Sequence, residues 1–222
     1  MVPEWPGNLT PTREAPEETE RQMDRQLICE GFPCADVRHD CYVVPPVQVR
    51  PKDISIMLIS EAAPADPGDY YYAKGSPLFL QTTLQAFNDA GAKVSSLQDI
   101  LALGVYLTTA VKCGKTGYAI KGSTIRECSS VLRKEMALFP NVRALLLMGD
   151  VAIKAINCIA REAGEQRVIP AGSTYKIRGQ EYFFQGKRVF PSYLQAGPSF
   201  FIEKSKRKMI AEDIAAALSV VK

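Results

Sequence analysis

The stretch Ile54-Ser-Ile-Met-Leu-Ile59 shows almost no polar alternation and runs into Ser60-Glu-Ala-Ala-Pro64. A strand that is apolar on both faces belongs inside a parallel sheet covered by helices, because a strand with one wet face would alternate. The run therefore predicts a buried strand over residues 54–59 with Glu61 at its carboxyl end. Ligands of open α/β sheets bind at that edge, which makes Glu61 the first candidate for chemistry. A solvated loop glutamate is the alternative reading.

Composition fits a single domain of this kind. The 222 residues are 46% hydrophobic, enough to bury one substantial core. Met1 to Arg25 holds four prolines, many Glu and Arg residues and few apolar ones, so a flexible N-terminal arm over 1–28 is expected before a domain over 29–222. No run has the character of a signal sequence or a membrane span, which predicts a cytoplasmic protein without a membrane partner. A formal charge of +3 is mild, and any affinity for nucleic acid must come from local clusters. Six cysteines in an intracellular chain of this size argue against a disulfide framework.

Beyond the arm, strand-like and helix-like segments alternate. Leu78 to Ala90 reads as a helix with Gly91 as its stop, and Val105 to Val111 as the second strand. Ser123 or Thr124 can cap a helix to about Leu138 with Ile125, Val131, Leu132 and Met136 as its stripe. Ala144 to Met148 is the third strand, and Asp150 caps a helix over Val151 to Ala163. Tyr175 to Tyr193 reads as a hairpin with turns at Gly179 and Gly186, its returning strand Val189 to Tyr193 closing the sheet. A helix over Ile202 to Val221 ends the chain. Alternation of this kind implies an α/β/α sandwich, three layers around a parallel sheet of about four strands.

Several of these landmarks carry recognisable motifs. Ser60-Glu-Ala-Ala-Pro64 follows the first strand, Gly75-Ser-Pro-Leu78 follows its loop, and Tyr106-Leu-Thr-Thr-Ala-Val-Lys-Cys113 forms the second strand. Leu145-Leu-Leu-Met-Gly-Asp-Val-Ala152 and Pro191-Ser-Tyr193 come later. In order and spacing the chain resembles the uracil-DNA glycosylase superfamily over roughly residues 29–218, and most closely its iron-sulfur-containing, thermophile-type branch. The resemblance implies a DNA enzyme that flips a nucleotide into a pocket and cleaves its N-glycosidic bond, which water cannot reach inside a stacked duplex. Glu61 matches the family's acidic position, where a carboxylate stabilises the oxocarbenium-like sugar or orients the attacking water. Asp66 and Asp69, in the same loop, are possible substitutes. Ala62, Pro64, Leu78, Phe79 and Thr109 fall at substrate-binding positions.

The chain also departs from the family pattern. Leu78 stands where a Phe stacks on the base, and Thr109 where an Asn reads it, although one hydroxyl cannot reproduce the two-point contact of an amide. The last motif lacks its histidine: Tyr193-Leu-Gln-Ala-Gly-Pro-Ser199 offers Gln195 as a hydrogen-bond donor to the leaving base. These changes point away from ordinary uracil excision, toward a deaminated purine or a hypermodified phage base met in anti-phage defence. Ordinary uracil repair and a non-catalytic DNA-binding relative are the alternatives. No lysine stands out as a Schiff-base nucleophile, so a monofunctional, monomeric enzyme is expected.

The resemblance further assigns Cys113 and Cys128 as ligands of a [4Fe-4S] cluster, completed from Cys29, Cys34 and Cys41. Their C-x4-C-x6-C spacing differs from the family's tight pair. Zinc on the same sulfurs, or plain buried cysteines, are the other readings. Cys158 reads as core, and His39, the only histidine, as a surface residue or one that backs the cysteines around it. DNA contacts are expected from Lys112 and Lys115 after the second strand, from Ser192 and Ser199, and from Lys204 and Lys206 at the last helix. Phe200 or Phe201 is a candidate wedge for the gap a flipped base leaves, and Tyr70 to Tyr72 a candidate pocket roof. A nucleotide binder using Met148-Gly-Asp150 at a helix start is the reading from another class, though no glycine-rich phosphate motif supports it.

Overall fold

The computed structural model describes residues 27–45 and 49–221. Most of the expected arm, residues 1–26, lies outside them. Among the described residues the elements, in chain order, are β1 (Val37–Arg38), β2 (Ile56–Ala63), α1 (Leu78–Asp89), α2 (Leu97–Ala102), β3 (Val105–Lys115), α3 (Gly122–Ala137), β4 (Ala144–Met148), α4 (Asp150–Glu162), α5 (Thr174–Ile177), β5 (Tyr182–Phe184), β6 (Lys187–Ser192), α6 (Ser199–Ile202) and α7 (Lys204–Val221).

The strands form one mixed sheet in the order β1-β3-β2-β4-β6-β5. Its inner members β3, β2, β4 and β6 are parallel, and β1 and β5 add antiparallel edges. The sheet thus has six strands, not the four expected. Two-residue β1 and three-residue β5 are too short to show a periodicity in sequence. Helices cover both faces. Ile125, Cys128 and Leu132 of α3 pack with Ile153, Ile156 and Ile159 of α4 on one side; Phe87 of α1, Ile100 of α2 and Ile210 and Ile214 of α7 pack on the other. Residues 56–60 of β2 are completely buried, as a strand between two helical layers must be.

Element boundaries differ in instructive ways. The strand β3 continues four residues past the expected Val111 to Lys115, because its outer neighbour β1 pairs with Gly114 and Lys115. The first turn of α3 receives its cap from outside the helix: the Asp36 carboxylate accepts from Lys121 N and from the Thr124 hydroxyl. Asp150 is the first residue of α4 rather than its cap, and pairs with Lys154 one turn on. The expected hairpin is confined to β5 and β6, joined at Gln185 and Gly186. Both have positive φ, 49° and 75°, the backbone a two-residue hairpin turn demands. α2 was not expected from sequence, although Ser96 and Asp99 form a full capping box at its start. The closing helix breaks at Glu203 into α6 and α7. No described helix is long and apolar enough to cross a membrane.

Candidate active site

The chain runs from β2 through α1 to β3 on one side and reaches β4 on the other, so a crevice opens where β2 and β4 part. Glu61 stands there, two residues from the end of β2. Its side chain leans on Gly149, the residue that links β4 to α4. A methyl group at Gly149 would lie 2.6 Å from Glu61 Oε1, and the backbone there has φ of 102°. Only glycine meets both conditions.

Glu61 opens into a cavity of about 260 Å³ whose wall also includes Ala62, Pro64, Asp69, Leu78, Phe79, Lys115 and Leu194. Ala62, Pro64, Leu78 and Phe79, the residues expected at substrate-binding positions, all line this wall. Asp69 reaches the wall from a 3₁₀ turn over Pro67–Asp69, accepting from Leu78 N at 3.4 Å. Asp66 does not line the cavity; its carboxylate holds the same turn by accepting from Gly68 N at 2.8 Å. Lys115 closes the opposite side with Nζ 3.4 Å from Glu61 Oε2. Its ammonium also lies 5.9 Å from the ring centre of Tyr118, a fully exposed residue.

Other candidates are placed elsewhere. Gln195 is fully buried, its amide donating to Ser60 Oγ at 3.0 Å, Tyr71 OH at 3.0 Å and Thr83 Oγ1 at 3.3 Å. Burial pushes the Tyr71 phenol up to about 12 against these hydrogen bonds, so it remains neutral within the network. The residue at the wall is its neighbour Leu194, which the sequence reading passed over. Thr109 pairs in register with Ser60 and lies in the core, its hydroxyl without a hydrogen-bond partner among the described residues.

Four of the expected DNA contacts are corrected or restricted. Lys112 is completely buried, with Nζ 2.5 Å from Glu135 Oε2 and 2.7 Å from both Thr108 Oγ1 and the Thr109 carbonyl. Alternation along β3 turns it toward α3, where Glu135 shares the face of Ile125, Cys128 and Leu132. A carboxylate in that stripe was the available signal, since a buried charge needs a partner. Ser192 is buried at the end of β6 and donates to Asp213 Oδ2 at 2.6 Å. Phe200 is 3% exposed, packed under the Arg207 guanidinium at 5.3 Å. Lys206 pairs with Glu203 at 2.5 Å and lies over the Tyr193 ring. Ser199, Lys204, Phe201 and Ile202 are exposed, the last two at 48% and 78%. Tyr70 and Tyr71 are buried, and Tyr72 OH donates to the Leu107 carbonyl at 2.7 Å, so the three tyrosines brace the core instead of roofing the pocket.

The cysteines gather where the segment before β1 meets β3 and α3. Burial, followed by the proximity of Cys128, Cys29 and Cys34, pushes the Cys113 thiol up to about 12. Cys128 is pushed to about 11 by burial, with Cys34 and Cys29 adding to it. His39 bridges the group: Nε2 lies 2.7 Å from the Cys34 carbonyl and must donate, which turns Nδ1 toward Cys113 Sγ at 3.4 Å. Cys41 lies near Cys113 as well and adds least to its upward shift, with its thiol donating to the Ala65 carbonyl at 3.4 Å and its β-carbon packed on Gly114. Among the described residues no three Cys, His, Asp or Glu side chains converge on a single ion. Cys29, Cys34, Cys113 and Cys128 are nonetheless neighbours in the fold. The half-buried Cys158 lines a separate cavity of about 370 Å³ between α3 and α4, whose wall includes none of the other site residues named above.

A helix-covered sheet with a carboxylate cavity at the parting of two parallel strands defines an α/β/α protein with its crevice where open sheets of this kind bind ligands. The particular family follows from comparison: the model of the uracil DNA glycosylase superfamily matches residues 46–215, and this chain belongs to that superfamily. No curated protein is significantly similar to it. Membership points to DNA glycosylase chemistry, with DNA as the partner.

Proposed function

We propose that this protein is a DNA glycosylase that excises a base other than uracil, a deaminated purine or a modified base of phage DNA, acting as a cytoplasmic monomer. The observation that carries the reading is Glu61, held by Gly149 in the cavity at the β2–β4 crevice. From there a carboxylate can stabilise the cationic sugar and take a proton from the attacking water. The wall supports a changed specificity. Leu78 presents hydrocarbon where the family resemblance places an aromatic ring, Leu194 adds hydrocarbon from a last motif that lacks the family's histidine, and Thr109 offers no side chain to the cavity. Exposed Tyr118 on one side and Phe201 and Ile202 on the other supply apolar surface to support the strand around an extruded nucleotide. Ordinary uracil excision is the second reading, favoured by the family match itself.

Cys29, Cys34, Cys113 and Cys128 would hold a [4Fe-4S] cluster in this reading. Its contribution is structural, tying the segment before β1 to β3 and α3.

The test is base release from duplexes carrying uracil, hypoxanthine, xanthine or hypermodified cytosine. Release of a non-uracil base, with Glu61→Gln slowing it by about 10²-fold or more, is the expected outcome. Release of uracil alone would establish the second reading. A blank panel with DNA binding intact would leave a non-catalytic relative.

A further inference from the structure

Breaking an N-glycosidic bond creates two charges, positive on the sugar and negative on the departing base. Glu61 faces the first. Donors for the second are few, because the cavity's polar side chains are Glu61, Asp69, Lys115 and Thr116, and ionised carboxylates only accept. Leu194 brings no donor. The Gln195 amide is committed to Ser60, Tyr71 and Thr83 in the core. Among the described residues Lys115 is thus the one cation on the wall, at the sheet edge shared with Glu61.

We propose that Lys115 is a catalytic residue whose ammonium donates a hydrogen bond to the leaving base as negative charge develops on it. This rests on the glycosylase reading. Lys115 Nζ is 3.4 Å from Glu61 Oε2, longer than a well-formed charge-assisted hydrogen bond, and its side chain is 29% exposed. It carries three N–H groups, so it can keep contact with Glu61 while another turns to a base carbonyl. In the step, the C1′–N bond breaks and its electron pair leaves with the base. Water forms the C1′–O bond and gives its proton to Glu61, and solvent protonates the released base. Lys115 stays covalently unchanged. The site accordingly takes a base that carries a carbonyl oxygen, where an ammonium can meet the accumulating charge.

The role predicts a dependence on leaving-group acidity that a phosphate contact would not show. Single-turnover excision is measured on two pairs of duplexes, uracil against the more acidic 5-fluorouracil, and hypoxanthine against the more acidic xanthine. Within the pair that the wild-type protein processes, Lys115→Met should slow the less acidic base by about 10²-fold, the cost of losing one preorganised donor. The more acidic partner should lose distinctly less, DNA affinity and the thermal midpoint should not move, and Lys115→Arg should recover much of the rate. Equal loss on both bases, or loss that tracks DNA affinity, would overturn the proposal. So would a borohydride-trapped protein–DNA adduct that needs Lys115, because the amine would then be a nucleophile. Wild-type protein that releases no base from any duplex removes the underlying glycosylase reading, an outcome separate from a mutant defect.

Discussion

Gly149 shows how much of the site depends on a residue without a side chain. It lets β4 turn into α4 at φ of 102° and leaves room for the Glu61 carboxylate, 2.6 Å from where a β-carbon would stand. Gly149→Ala should therefore displace Glu61 and reduce excision by about 10²-fold, as a shift of about 1 Å at a reacting group does. The backbone strain should cost about 1–3 kcal/mol, read by urea denaturation. Neither demand is visible in Met148-Gly-Asp150 as a string, which reads as a strand end and a helix start. Lys112 teaches the converse. Its place after the expected end of the second strand suggested a phosphate contact, yet one position of alternation decides between solvent and the Glu135 pair.

At the level of helices and strands, α1 and α7 are held together by apolar packing and by Arg207, which donates to both Asp89 oxygens, through Nη2 to Oδ1 at 2.8 Å. The Arg207 guanidinium, with help from Gln85, holds the Asp89 carboxyl below the usual Asp range. With the native pKa depressed, the unfolded chain binds the proton first as pH falls. The pair's contribution is whole above the unfolded value near 3.9 and disappears as pH drops through the native one. Arg207→Met should thus cost about 0.5–1 kcal/mol at pH 7, as a partly exposed pair does, and next to nothing in strong acid, measured by denaturant unfolding at both pH values. The elements themselves were largely legible. β2, α1, β4 and the bulk of α3, α4 and α7 follow from apolar runs and stripes, because periodicity reports burial directly. The short edge β1 and the continuation of β3 depend on a neighbour strand, which no local pattern encodes, whereas β5 was legible only through the Gly186 turn of its hairpin.

For the assembled domain, the sheet order brings residues 61, 69, 115, 149 and 194 to one crevice. It also brings cysteines 29 and 34 from the segment before β1 against Cys113 and Cys128. If these four sulfurs hold an iron-sulfur cluster, anaerobically purified protein should be brown with broad visible absorption. Cys128→Ser should abolish the colour and lower the thermal midpoint, while Cys41→Ser should leave the colour intact. Colourless, iron-free wild-type protein from the same preparation would remove the cluster from this account.

The linear chain was sufficient to establish a helix-covered parallel sheet, a carboxylate at its carboxyl edge and the superfamily, because runs, stripes and ordered motifs are local and survive in one dimension. Tertiary structure decided which side chains face the cavity. It sent Lys112, Gln195, Ser192 and Phe200 inward and turned Lys115 and Leu194 to the wall. The physical reason is that a side chain's direction is set by the strand or loop that carries it and by the distant partner it meets in the fold, Glu135 for Lys112 and Tyr71 for Gln195. Those partners lie 23 and 124 positions away along the chain.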